Sequence, residues 1–144
     1  MSNMKVVFAT HNQGKLKEIR AILSGSGIDV VSAEEVGVID EVEEDGVTLK
    51  ENALKKARHV FERAHTWTAA EDTGLFIDAL GGEPGVRTAR WPGPGGDHAA
   101  YTLARLKGVA TEQRAARFIA VIALIDPDGS AHLFEGTVEG RIHE

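Results

Sequence analysis

TAAEDTGLFIDALGGEPGVRTARW, residues 68–91, is the stretch on which the reading of this chain turns. A short apolar run, Trp67 to Ala70, leads into two adjacent acids, Glu71 and Asp72, and then into Thr73-Gly74. A second apolar run, Leu75 to Leu80, gives way to the turn-forming Gly81-Gly82-Glu83-Pro84-Gly85 and to Arg87 and Arg90. Read as strand, acids, strand, the pattern places Glu71 and Asp72 at a strand end, where metal and water chemistry is commonly sited. Gly74 then offers a point where backbone can approach a ligand closely. A turn carrying solvated acids is equally consistent with this stretch, so the decision rests on the rest of the chain.

Its 144 residues are enough for one domain with a real core and too few for two ordinary ones. A single domain over 1–144 is therefore expected. With 42% hydrophobic and 26% charged residues the composition is that of a soluble globular protein, and no apolar run reaches the length of a membrane span. Val6 to Ala9 is too brief for the apolar core of a signal peptide, which makes the cytoplasm the expected compartment. The absence of cysteine excludes disulfides, thiolate catalysis and zinc-thiolate sites, leaving oxygen and imidazole as ligand chemistry. A net charge of -6 argues against a nonspecific nucleic-acid surface, which needs clustered Lys and Arg.

Lys5 to Ala9 reads as a buried strand running into the loop Thr10-His11-Asn12-Gln13-Gly14-Lys15 and then an amphipathic helix carrying Leu16, Ile19 and Leu23. A loop from strand end to helix start aims backbone N–H groups and the positive helix end at one point, favouring an anion. Lys15 adds a charge, and Thr10 and Asn12 add neutral hydrogen bonds, although either could simply cap the helix. Asp29 to Ser32 reads as a second strand. Seven carboxylates between Glu34 and Asp45 read as a solvated, mobile loop. Thr48-Leu49-Lys50-Glu51 fits a capping box at the head of a long helix lined by Ala53, Leu54, Ala57, Val60, Phe61 and Ala64. Glu51 is then either a capping acid or a ligand. Asp97 is placed to cap a helix with Ala99, Ala100, Leu103 and Leu106 on its apolar side. Ala116 to Ile125 is apolar enough for a strand buried on both faces, and Ala131 to Phe134 with Thr137 to Ile142 continues as a hairpin.

The ordered segments FATHNQGKLKE, TLKENALKKA, EDTGLFIDALGGEPGVRTARW, RFIAVIAL and FEGTVEGRI together resemble the inosine triphosphate pyrophosphatase, or Ham1, family. The resemblance implies an α/β fold, a mixed central sheet flanked by helices of the Ham1/Maf-like type, with a cleft between lobes. It also implies hydrolysis of ITP, dITP and XTP to the monophosphate and pyrophosphate, with Mg2+, by a homodimer. By the same resemblance Thr10 to Lys15, including His11, Gln13 and Gly14, form the triphosphate loop, and Thr73 contacts the substrate; Arg90, which with Arg87 brackets Thr88-Ala89, either holds a phosphate tail or decorates an exposed segment. Glu51, Glu71 and Asp72 hold the metal, and Asp72 is the general base. Glu71 departs from the Asp that many members carry. The family's GFGYDP and SHR motifs, which grip the purine, do not occur in these residues, so the domain is expected to be C-terminally incomplete and to discriminate poorly between ITP and ATP. The alternatives are a non-catalytic nucleotide-binding module and a Maf-type pyrophosphatase with a different base choice.

Overall fold

The computed structural model describes residues 4–88 and 96–143. The chain divides into two compact units, Met1–Asp72 with Val121–Phe134, and Thr73–Ala120 with Glu135–Glu144. Six strands and three helices are found in the described residues: β1 (Met4–Phe8), α1 (Gln13–Ile22), β2 (Ile28–Ser32), α2 (Leu49–Ala64), β3 (Thr68–Ile77), β4 (Pro84–Gly85), α3 (His98–Arg105), β5 (Ala115–Ile125) and β6 (Ala131–Arg141). The strand order is β2-β1-β3-β5-β6, with β4 pairing β3. β1 runs parallel to both β2 and β3 while β4 is antiparallel to β3, so the sheet is mixed. Among the described residues no helix is long and apolar enough to cross a membrane.

In the first unit, alternation along β1 sorts side chains onto two faces. Val6 and Phe8 pack with Ala69 of β3 and with Leu16 and Ile19 of α1. Val7 points the other way, onto Val60 and Ala64 of α2. The helical periods read from sequence thus describe real buried stripes, with Leu16, Ala53, Ala57 and Val60 all buried. In the second unit a smaller core gathers Ile77, Leu106 and Ala116.

Several sequence expectations are corrected. The two apolar runs of the opening stretch are one strand, since β3 passes through Glu71 and Asp72 without a break and ends at Ile77, followed by a 3-10 turn at Asp78–Leu80. β5 is not buried on both faces, because Phe118 and Ile122 are exposed. The two pieces read after the Asp126 turn are a single strand, β6, exposed along its whole length. Asp97 does cap α3, accepting from the Ala100 N–H at 3.0 Å, but the buried residues there are Thr102 and Leu106, not Ala99, Ala100 or Leu103. Gly74 serves backbone packing within the protein: a Cβ there would sit 2.6 Å from the Gly85 carbonyl oxygen of β4.

Candidate functional site

The Thr10 to Lys15 loop begins where β1 ends. Thr10 Oγ1 accepts from the Asn12 N–H at 3.1 Å, and Asn12 Oδ1 accepts from the Lys15 N–H at 3.1 Å, capping α1. Capping is therefore a role that Asn12 does perform, while Thr10 braces the residue that caps. It leaves the neighbouring first-turn amides of Gln13 and Gly14 without acceptors inside the helix, which is the arrangement that favours an anion. Lys15 stands on the first turn of α1 and its ammonium lies 2.9 Å from Glu71 Oε1, joining residues 56 positions apart.

Because β3 is unbroken, Glu71 and Asp72 point to opposite faces of it. The face of each follows from the core. Ala69, two residues before Glu71, packs on α1, while Thr68, Ala70 and Asp72 form the buried alternate set. Thr68 pairs with Val7, whose side chain is against α2. Glu71 thus lies on the α1 side and Asp72 on the α2 side, buried at 9% exposure.

α2 supplies a residue that the sequence reading missed. Lys56 donates to the Glu71 carbonyl at 2.5 Å and pairs with Glu44 Oε1 at 2.6 Å. Nothing local singles it out, since Lys55 beside it has the same chemistry and pairs with Asp45.

The acids of the acidic stretch are mostly exposed, as expected, but the stretch is held in place. It is docked along α2, where three of its acids meet Lys and His side chains of the helix in reverse order: Asp45 with Lys55, Glu44 with Lys56, Asp40 with His59. His59 Nε2 lies 3.1 Å from Asp40 Oδ2, near enough for an ion pair without hydrogen-bond alignment. The stretch ends on a tight return. The Gly46 N–H donates to Asn52 Oδ1 at 2.8 Å and the Val47 N–H to Glu51 Oε2 at 2.9 Å. Thr48 Oγ1 accepts from the Glu51 N–H at 3.1 Å. Thr48 thus caps α2 as expected, while the Glu51 carboxylate accepts from Val47, the residue before the cap, and not from Thr48 as a capping box would have it.

A cavity of about 420 Å³ opens between these elements, walled by Thr10, His11 and Asn12, by Asp40, Glu41 and Glu44, and by Lys56 and His59. His11 bridges two of its walls, with Nδ1 3.2 Å from Glu34 Oε1 and Nε2 3.2 Å from the Asp40 carbonyl oxygen. Glu51 lines a separate hollow with Leu54 and Glu62. Among the described residues no three His, Cys, Asp or Glu gather to hold a metal, so Glu51, Glu71 and Asp72 do not form the expected three-carboxylate set. Their side chains serve a helix cap, a lysine and the opposite face of the strand. Thr73 follows in β3 and is the first residue of the second unit. Arg90 lies outside the described residues.

Comparison with known proteins gives a consistent result. The model of the Ham1 family matches residues 6–144. A dITP/XTP pyrophosphatase of Symbiobacterium thermophilum is 46% identical over 145 residues, covering 100% of this chain and 73% of that protein. The crystal structure of a nucleoside-triphosphatase, dITP/XTP pyrophosphatase, from Mycobacterium abscessus aligns at a TM-score of 0.78 and 38% identity, covering 96% of this chain and 72% of the other. A HAM1 protein structure from Coxiella burnetii aligns at 0.85 and 31% identity, again over 96% and 72%.

Proposed function

The chain belongs to the Ham1 family, and from that premise we infer that it hydrolyses non-standard purine nucleoside triphosphates, dITP, ITP and XTP, to the monophosphate and pyrophosphate. The substrate class is supported by the relatives matched along the chain, which bear the name dITP/XTP pyrophosphatase. One observation carries the chemistry: Lys15 and Lys56, from different helices, converge on residue 71 beside buried Asp72.

The reaction forms a bond from a water oxygen to the α-phosphorus and breaks the bond to the bridging oxygen of the β-phosphate, which leaves with pyrophosphate. A triphosphate repels an anionic nucleophile, so cations have to be in place first. Lys15 and the first-turn amides of α1 hold the tail, Lys56 adds a second charge, and Asp72 orients the water and takes its proton.

Magnesium, which takes oxygen ligands and needs only one or two protein carboxylates, would suit the carboxylates of this site. Asp72 would hold it. Glu51 and Glu71 would join only by giving up the Val47 amide and Lys15 respectively; Asp40, Glu41 and Glu44 line the cavity, with Asp40 beside His59 and Glu44 paired with Lys56. When bound, the ion neutralises phosphate charge and lowers the pKa of a bound water. We further propose a homodimer acting on the cytoplasmic nucleotide pool.

The test is pyrophosphate release from ITP, dITP, XTP, ATP and GTP with and without Mg2+. Release from the first three, lost without the metal, is expected. Nucleotide binding without release from any would leave a non-catalytic module and overturn the proposal.

A further inference from the structure

We propose that Glu71 is a positioning residue for Lys15 and not a ligand of the metal. This rests on the functional reading above, which names Lys15 as the cation for the triphosphate tail. The uninterrupted course of β3 separates Glu71 from Asp72, so a metal held by Asp72 on the α2 side is not reached by the Glu71 carboxylate from the α1 side. The carboxylate already has a cation of its own, Lys15, at 2.9 Å. The Glu71 side chain is only 21% exposed against 43% for Lys15, so the acid is the anchored partner and the lysine the one that reaches outward. An ammonium carries three donors. It can keep the Glu71 bond and still present N–H groups to a phosphate. A lysine stem has large rotamer entropy, and fixing its tip before the anion arrives lowers the ordering cost of binding. The Glu71 carbonyl does the same for Lys56 at 2.5 Å, so one residue of the strand orients the cations of both helices, by side chain on one side and by main chain on the other.

The experiment is a double-mutant cycle read by calorimetry with inorganic tripolyphosphate, alongside Mn2+ binding to the nucleotide-free protein followed by electron paramagnetic resonance. Glu71→Ala should weaken tripolyphosphate binding about tenfold, the scale of one charge-assisted hydrogen bond. Glu71→Gln keeps an acceptor at the same reach and should restore most of that loss. In a Lys15→Ala background, Glu71→Ala should have no further effect. Mn2+ affinity should be unchanged in Glu71→Gln and reduced in Asp72→Asn. An equal loss of Mn2+ binding in Glu71→Gln would make the residue a ligand and overturn the proposal, as would additive effects of the Lys15 and Glu71 substitutions. Failure of the functional reading shows separately, as wild-type protein that binds tripolyphosphate with the expected cycle but releases no pyrophosphate from any triphosphate.

Discussion

Asp72 and Lys15 are the residues whose removal should hurt most, and in different ways. Asp72→Asn keeps the shape of the side chain while removing a charge and a base, so turnover should fall by more than about a hundredfold, the scale of a general base. The melting curve should show a folded protein. Near wild-type pyrophosphate release at saturating Mg2+ would remove Asp72 from its role. Lys15→Ala should weaken pyrophosphate binding about tenfold and leave a nucleoside monophosphate unaffected, because the ammonium reads the tail alone. Equal weakening of both ligands by calorimetry would contradict that. The Thr10 to Lys15 loop was legible in the residues because a strand-to-helix transition is a local event, visible as apolar run, polar loop and helical period. The separation of Glu71 from Asp72 was not. Thr73-Gly74 has the look of a turn, yet β3, which neighbours β5 in the sheet and pairs with β4 at Leu75 and Phe76, runs through it.

At the scale of elements, the acidic stretch shows how tertiary contacts override composition. Seven carboxylates between Glu34 and Asp45 should repel one another, yet α2 offers Lys55, Lys56 and His59 along one side, and the stretch docks there. Gly46 makes the return possible, since a Cβ at that position would lie 2.6 Å from Asn52 Oδ1 and 2.8 Å from Glu51 Cβ. Gly46→Ala should therefore cost about 1–3 kcal/mol in urea denaturation, the scale of overpacking, and an unchanged midpoint would show that the return is loose. The turn between β5 and β6 makes an electrostatic prediction. A hydrogen bond from His132 to Asp126, aided by the N–H groups of Ser130 and Asp128, holds the Asp126 carboxyl below its ordinary value of 3.8. A depressed folded value means that the turn's contribution is fully present above the unfolded value and is lost as pH falls through the lower folded one. NMR titration should place the Asp126 midpoint below 3.8, and a midpoint at or above it would mean that the His132 contact does not persist in solution.

At the largest scale, β5 and β6 carry the exposed apolar side chains Phe118, Ile122, Phe134 and Val138. They agree with the proposed homodimer, for which sedimentation equilibrium should return twice the chain mass at micromolar concentration; a monomer there would end that proposal. The sequence by itself determined the α/β class, the three helices with the caps at Thr48 and Asp97, and the family, because periodicity, capping and motif order are properties of neighbouring residues. Only the tertiary structure decided which face each of two adjacent acids takes, that Lys56 rather than Lys55 reaches Glu71, and that the acidic stretch becomes a cavity wall. Those outcomes depend on sheet order and on pairings across tens of residues, where the free energy is set by which surfaces meet and not by the local chain.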